Sequence, residues 1–321
     1  MACGILLLFC AASFGAFQPQ EICVIRWGDG PGELKIAGPS IEFNHYPPRD
    51  SGEEYMNSVG PDVAFVDRFE NLYFGSSYFL QLKCFNHGGS LRFDYSMDQP
   101  TYNPQFYRDS IAQIYVDSVR RLYVFDGHSD HIPVLNQEGK IVEEISPPGL
   151  EPGQIIYGAV FNRDRKLTLY FGQDQCASYS NGSYSENCSI GRLGNDDFYY
   201  LACYEMNSGV INFFRTDVPI SHWPERRNRT SFYYDKEISY AEFLGVDDNL
   251  QTFILCFHPV SFERRVLVFD RGFTLQDHIT LPYSVNKYRL SITPYMRPSD
   301  GNIYEFRCLD DGLHVIRWSR Q

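Results

Sequence analysis

The sequence predicts an all-β fold built from a repeated unit of about 50 residues. The 321 residues include 25 Phe and 23 Tyr, and aromatic side chains favour the half-buried surface of a pleated sheet. No long segment of the sequence has apolar residues at the i, i+3, i+4 and i+7 spacing of an amphipathic helix. The two ends of the chain share the tripeptide Ile-Arg-Trp within alternating apolar strands. Several strands per unit at this period are typical of a β-propeller.

Each unit begins with a short β-run, a polar turn that contains an aspartate, and a second β-run. The turn aspartates are Asp67, Asp117, Asp164, Asp247 and Asp300, which are 50, 47, 83 and 53 residues apart. The gap of 83 residues leaves two alternatives open, since residues 155–235 can hold two compact units or one unit with a long insertion. We favour two units, which predicts one propeller domain at 22–318 with six blades; five blades are the alternative.

A second strand pair follows in three of the units. Residues 84–89, 134–139 and 268–272 share an apolar strand end, a polar turn and then a glycine. Tight hairpin turns need a residue with positive φ, which glycine adopts at little cost. We therefore expect Gly89, Gly139 and Gly272 to supply that conformation.

The segment Leu122 to Lys140 (LYVFDGHSDHIPVLNQEGK) resembles an NHL repeat. Residues 28–34 are similar to the glycine-proline linker between NHL blades, and residues 151–155 look like a second copy. The resemblance covers most of 22–318 and is clearest at 22–34, 60–91 and 109–155. The family's Asn-x-Arg is replaced here by Ser129 and His131, so the chain resembles a divergent member.

The ends of the chain are expected to close the ring. Propellers commonly place their first and last strands in one blade, which leaves only short and protected sheet edges. Residues 22–27 and 313–318 are both alternating strands that contain Ile-Arg-Trp. We therefore predict that the N-terminal strand 22–27 pairs within the C-terminal blade.

The N-terminus predicts export. Residues 5–17 are almost wholly apolar, which suits a signal peptide and is too short to span a bilayer. Ser13-Phe14-Gly15 is a small-x-small site, so residues 1–15 are expected to be removed, although no Lys or Arg precedes the apolar run. No other stretch predicts a transmembrane segment, and the chain is expected in the periplasm or outside the cell. The net charge of -12 argues against a nucleic-acid partner.

Seven cysteines remain after the predicted cleavage. Four lie in apolar runs and are expected to act as small buried hydrophobic residues: Cys84, Cys203, Cys256 and Cys308. Cys176 and Cys188 flank a polar segment, and a disulfide between them would close that loop. N-glycosylation sequons begin at Asn181, Asn187 and Asn228.

The densest group of metal-competent side chains is Asp126, His128, Asp130 and the adjacent His131. Carboxylates and imidazoles at this density make the group, and Asp126, His128 and Asp130 first, a candidate site for a divalent metal. A polar turn without metal is the alternative, because this loop is also polar in metal-free members of the resembled family. The sequence has no HExxH, P-loop or G-x-S-x-G motif, and no organic cofactor is expected.

These observations favour a secreted or periplasmic binding module whose loops on one face contact a protein or glycan. One alternative is a channel-centred, metal-dependent hydrolase or lyase whose ligands come from several blades; another is a structural repeat within an envelope assembly. The polar segment 43–60 is a candidate recognition loop on a rigid scaffold, or a linker between blades.

Overall fold

A computed structural model describes the parts of this chain given below. The described residues are 16–36, 60–76, 79–96, 111–117, 119–126, 131–146, 156–161, 167–171, 175–180, 183–187, 192–193, 198–205, 210–217, 230–233, 240–257, 263–282 and 292–321. Within them the regular structure consists of 24 strands and no helix. The all-β prediction is therefore confirmed.

The strands are β1 (Phe17–Arg26), β2 (Val63–Val66), β3 (Leu72–Ser76), β4 (Gln81–Phe85), β5 (Leu91–Ser96), β6 (Ile111–Val116), β7 (Leu122–Asp126), β8 (Ile132–Leu135), β9 (Ile141–Ile145), β10 (Ile156–Phe161), β11 (Leu167–Phe171), β12 (Gln175–Ser180), β13 (Ser183–Asn187), β14 (Arg192–Leu193), β15 (Tyr199–Glu205), β16 (Val210–Thr216), β17 (Thr230–Tyr233), β18 (Tyr240–Val246), β19 (Thr252–Phe257), β20 (Arg264–Phe269), β21 (Leu275–Leu281), β22 (Tyr295–Met296), β23 (Ile303–Cys308) and β24 (Gly312–Arg320).

In the described part of the chain these strands form six antiparallel sheets of four strands each. Sheets 1 to 5 each contain four consecutive strands: β2–β5, β6–β9, β10–β13, β14–β17 and β18–β21. Sheet 6 has the order β22-β23-β24-β1 and so unites the two ends of the chain. Sheets 3 and 4 lie within residues 156–233, where the sequence allowed one unit or two.

The N-terminal strand pairs with the C-terminal strand, as predicted. The β1–β24 ladder runs from the pair Phe17–Arg320 to the pair Arg26–Gly312, so it begins earlier than the sequence indicated. Trp27 leaves this ladder, and its indole Nε1 donates to the backbone oxygen of Leu309 at 2.6 Å.

The first strands of neighbouring sheets lie beside one another at the centre. Strand β22 contacts β2, β2 contacts β6, β6 contacts β10, and β18 contacts β22. At one end of each sheet the first strand turns into the second, and the third turns into the fourth. We call this end the turn face. The opposite end is the connection face, where the chain leaves one sheet for the next.

Side-chain oxygens build the tight turns of the turn face. The Asp67 Oδ1 atom accepts the backbone N–H groups of Phe69 and Asn71, both at 2.8 Å. Asp117 accepts the corresponding two N–H groups of its own turn at 2.9 and 2.8 Å, and Asp247 does so at 3.0 and 2.7 Å. These carboxylates therefore replace backbone acceptors, which is why aspartate marks the repeat.

Sheet 6 departs from this turn. The backbone position of Asp67 is occupied there by Arg297, whose N–H donates to the oxygen of Asn302 at 2.9 Å. Asp300 lies three residues further on, where its carboxylate accepts from the Arg297 guanidinium. Asp300 marks the same turn in sequence but is not the structural equivalent of Asp67.

Further turns join the third and fourth strands of sheets 1, 2 and 5. In each of them the residue with positive φ is the third one after Asn86, Asn136 or Asp270. Gly89 and Gly139 hold this place with φ of 79° and 74°, as predicted. The expectation for Gly272 is wrong, because Phe273 has the φ of 59°. Its ring stacks on Phe213, with centroids 5.2 Å apart, and that packing offsets the backbone cost.

Gly139→Ala is expected to lower the free energy of unfolding by about 1–3 kcal/mol. A Cβ at Gly139 would lie 2.6 Å from the Phe93 ring, on a backbone with φ of 74°. Gly32→Ala is the matched control, since a Cβ there meets nothing within 4 Å. Urea unfolding of both variants is the measurement, and equal midpoints would contradict the assignment.

The core lies between adjacent sheets. Phe74 of sheet 1 meets Phe306 of sheet 6 edge to face, with ring centroids 5.6 Å apart. Three of the cysteines predicted to be hydrophobic are buried and free, namely Cys84, Cys256 and Cys308. Burial raises the pKa of each of these thiols to about 12, so they stay protonated at neutral pH. The side chain of Cys203 lies outside the described residues.

Candidate functional site

Most residues that the sequence put forward as sites fall outside the described part. Asp126 ends β7, while His128 and Asp130 lie outside the described residues, so the metal site stays a prediction. Cys176 lies on β12, opposite Asn187 of β13. Cys188, Asn181, Asn228 and residues 43–59 also lie outside the described ranges, and the disulfide, the sequons and the recognition loop stay predictions.

Aromatic side chains of the inner strands contact one another between neighbouring sheets. The Phe65 ring on β2 lies 4.8 Å from the Tyr295 ring of β22 and 6.2 Å from the Tyr115 ring of β6. Burial raises the pKa of Tyr115 to about 12, and the charge of Asp117 adds to that shift. The three rings join sheets 6, 1 and 2 where their inner strands approach the turn face. Within the described residues, no group of three His, Cys, Asp or Glu side chains is placed to hold a metal ion.

A cluster of charges connects sheet 1 to sheet 6. The Glu70 Oε1 atom accepts from Arg317 at 2.8 Å, from Arg297 at 3.1 Å and from the Tyr304 hydroxyl at 3.2 Å. The His87 Nδ1 atom lies 2.9 Å from Glu70 Oε2. We call these five residues the closure cluster. Because its members bind one another across the junction of the first and last sheets, the cluster holds the ring together.

Burial of Glu70 raises the pKa of its carboxyl, but the opposing effects are larger. The hydrogen bond from Arg317 and the positive charges of Arg297, Arg317 and His87 bring the pKa below its ordinary value. Glu70 is therefore held ionised, as an anchor for two arginines.

Two exposed apolar side chains lie beside this cluster on the turn face. Phe69 is 39% exposed and Val119 is 57% exposed, and they belong to adjacent sheets. The Arg120 guanidinium carbon lies 3.7 Å from the centroid of the Phe69 ring, and that of Arg68 lies 4.7 Å from it. We call Arg68, Phe69, Val119 and Arg120 the Phe69 patch.

The turn itself does not require these apolar residues. Phe69 and Val119 each occupy the second residue after a turn aspartate, and the equivalent residue after Asp247 is Asn249. The same backbone is thus satisfied by a polar residue, so the apolar identity at 69 and 119 needs another cause.

The patch is also fixed in position. The Phe69 and Val119 N–H groups are bonded to aspartate side chains at 2.8 and 2.9 Å. Arg120 Nη1 donates to Gln137 Oε1 at 3.1 Å, which holds the guanidinium against the ring. A surface that is ordered before binding loses less entropy when a partner docks.

Sequence reasoning did not single out the Phe69 patch. The signal was present, because the second residue after the five turn aspartates is Phe, Val, Lys, Asn and Asn in chain order, so only the first two are apolar. The sequence does not show that the turns of sheets 1 and 2 lie side by side. That adjacency comes only from the ring.

Comparison with known proteins agrees with the fold. The sequence matches no protein-family model and no curated protein sequence. Among solved structures, a streptogramin B lyase is 10% identical with a TM-score of 0.51, covering 92% of this chain and 100% of that chain. A luciferin-regenerating enzyme is 12% identical with a TM-score of 0.51, covering 81% of this chain and 91% of that chain. No helix in the described ranges is long and apolar enough to cross a bilayer. Since these neighbours are β-propellers, the chain has the β-propeller fold.

Proposed function

We propose that this chain is an exported, six-bladed propeller, related to the NHL-repeat type, that binds a protein partner through the Phe69 patch. The observation that carries the proposal is the exposed apolar pair Phe69 and Val119 at a turn position where sheet 5 has the asparagine Asn249. Aromatic and arginine side chains are the residue types that contribute most to protein interfaces. Export rests on the signal-like residues 1–15.

The chemistry of the Phe69 patch indicates which side chains the partner presents to it. Its centre is apolar and its rim carries the guanidinium groups of Arg68 and Arg120. The chain as a whole has a net charge of -12, so this local positive rim differs from its surroundings. A partner segment with an apolar side chain flanked by carboxylates fits both features. A glycan is the other ligand class expected from the sequence, and the experiment separates the two.

The double variant Phe69→Ser, Val119→Ser is expected to weaken partner binding at least about tenfold, because it removes the apolar centre. Tyr233→Ser is the matched control, since Tyr233 is 57% exposed on the outer strand of sheet 4. Proteins captured from the native compartment by the wild-type chain and lost by the double variant are purified, and their affinity is measured by calorimetry.

Retention of the partner by the double variant would contradict the proposal. A ligand that resists protease and is released by glycosidase would establish the glycan class instead. Tightly bound metal in the purified chain, lost on changing Asp126 or His128, would favour the channel-centred hydrolase or lyase.

A further inference from the structure

His314 lies on the ladder that closes the ring. It belongs to β24 and pairs with Val24 of β1. In the described part of sheet 6, β1 is the outermost strand and pairs with β24 only. The contacts between these two strands therefore decide how firmly the first strand of the chain is held in the ring.

Both ring nitrogens of His314 face carboxylates, and the two carboxylates come from different elements. The Nδ1 atom lies 2.7 Å from Glu21 Oε2 on β1, and the Nε2 atom lies 3.0 Å from Asp311 Oδ1 in the turn between β23 and β24. A neutral imidazole has one N–H group and one lone pair, so it can donate to only one of these carboxylates. The imidazolium has an N–H group on each nitrogen and satisfies both. The geometry therefore fits the protonated ring.

Charged groups of the neighbouring strands surround this contact. Arg307 of β23 pairs with His314 across the strands, and its guanidinium donates to both oxygens of Glu305 at 2.9 Å. Arg26 of β1 lies on the same side of the sheet as these residues. The side of sheet 5 that packs on sheet 6 carries three charged residues, which are Glu242, Arg264 and Asp277. Positive and negative groups are equal in number here, and the two carboxylates that contact the imidazole are the charges that shift its titration.

Glu21 and Asp311 favour the protonated form of the ring. Partial burial lowers the pKa of His314, but the hydrogen bonds and negative charges of the two carboxylates raise it above the ordinary 6.5. The hydrogen bond with His314 in turn lowers the pKa of Asp311. A histidine of this kind contributes its full stability below the unfolded pKa, and the contribution is lost as the pH rises through the folded pKa. The contact is therefore expected to weaken above pH 6.5.

We propose that His314 makes the closure of the ring depend on pH, because its protonated imidazole ties β1 to the turn between β23 and β24. Deprotonation removes one N–H group, so one of the two carboxylates loses its donor and faces a lone pair. The N-terminal strand is then held less firmly, and the edge of β24 becomes accessible more often. The proposal does not depend on the Phe69 patch.

Native-state amide hydrogen exchange measures how firmly each strand is held. Protection factors, corrected for the intrinsic pH dependence of exchange, are compared at about pH 5.5 and about pH 8. The internal reference is β16 of sheet 4. In the wild type we expect the protection of β1 relative to β16 to fall at least about threefold between the two pH values, since each exposed ion pair is weak and two act here together. In His314→Gln we expect no such fall.

Three further variants assign the effect to its contacts. Glu21→Gln and Asp311→Asn each leave one carboxylate on the imidazole, so each should reduce the fall without abolishing it. Both side chains are more than half exposed, at 53% and 71%, so these two variants are expected to fold. His278→Gln is the matched control, because His278 is exposed on β21, the outer strand of sheet 5, and this variant should keep the full wild-type fall.

Three results would overturn the proposal. The first is equal relative protection of β1 at both pH values in the wild type. The second is the same fall in His314→Gln as in the wild type. The third is loss of the fall in His278→Gln.

Discussion

Glu70→Gln is expected to lower the free energy of unfolding by about 2–3 kcal/mol, because it leaves two arginines without their shared carboxylate. The Arg297 side chain is 8% exposed and that of Arg317 is 22% exposed, so water replaces the lost contacts only in part. Glutamine keeps the shape of the side chain and removes the charge. Chemical unfolding in urea measures the difference.

The control for this prediction is Glu138→Gln. Glu138 lies exposed in a turn of sheet 2, where its backbone N–H donates to Asn136 Oδ1 at 3.1 Å. We expect the free energy of unfolding of Glu138→Gln to equal that of the wild type within about 0.5 kcal/mol. If Glu70→Gln were equally neutral, the closure cluster would contribute nothing to the ring.

The effect of Glu70 should also depend on pH. Burial opposes ionisation of the carboxyl, but Arg317, Arg297 and His87 together lower its folded-state pKa below the ordinary 4.5. A carboxyl of this kind contributes its stability above the unfolded pKa and loses it as the pH falls through the folded pKa. The stability gap between wild type and Glu70→Gln is therefore expected to be full at neutral pH and to shrink in acid below about pH 4.5.

Lys83→Met is expected to destabilise the fold by about 2–4 kcal/mol. The Lys83 side chain is 2% exposed, and its ammonium donates to the backbone oxygens of Glu33 at 2.6 Å and Gly30 at 3.3 Å. The carboxylate of Asp94 lies 3.6 Å away. Methionine fills the same space but cannot donate, so the oxygens of the glycine-rich segment 28–34 lose their partner.

A local measurement separates this contact from general loss of stability. Amide hydrogen exchange at residues 28–34 should accelerate in Lys83→Met under native conditions. Lys140→Met is the control, because Lys140 is exposed in a turn of sheet 2. Unchanged exchange together with unchanged stability would show that Lys83 does not hold this segment.

The strands and turns were predictable because their signals are local. Asp67, Asp117 and Asp247 each organise their own turn through backbone groups two and four residues away. The prediction for Gly272 is wrong because it rests on the presence of a glycine near the turn, whereas the residue with positive φ is Phe273. The Asp270 carboxylate accepts the backbone N–H groups of the turn, and the residue with positive φ is the third one after it, Phe273.

The contacts between sheets were not predictable from local pattern. Glu70 meets Arg317, which is 247 residues away in sequence, and Lys83 reaches a segment about 50 residues earlier. Nothing in the runs that contain these residues distinguishes them from ordinary turn or strand residues. Their roles arise only when the ring brings sheet 6 beside sheet 1.

The same difference between local signals and long-range contacts applies to the prediction of function. The sequence predicted a scaffold with a ligand on one face, and the β-propeller fold is confirmed. The Phe69 patch, through which we propose that a partner binds, consists of turn residues of sheets 1 and 2. Its side chains lie on turns of the rigid sheets, where positions are well fixed.

Site-specific photo-crosslinking from the Phe69 patch tests the central claim most directly. A benzoylphenylalanine placed at residue 69 is expected to give one protein adduct in the native compartment, with the crosslink mapped to an apolar residue flanked by acidic ones. The same label at residue 233 should give none. Adducts of equal yield from positions 69 and 233, or no protein adduct from position 69, would contradict the claim that this propeller binds a protein through its turn face.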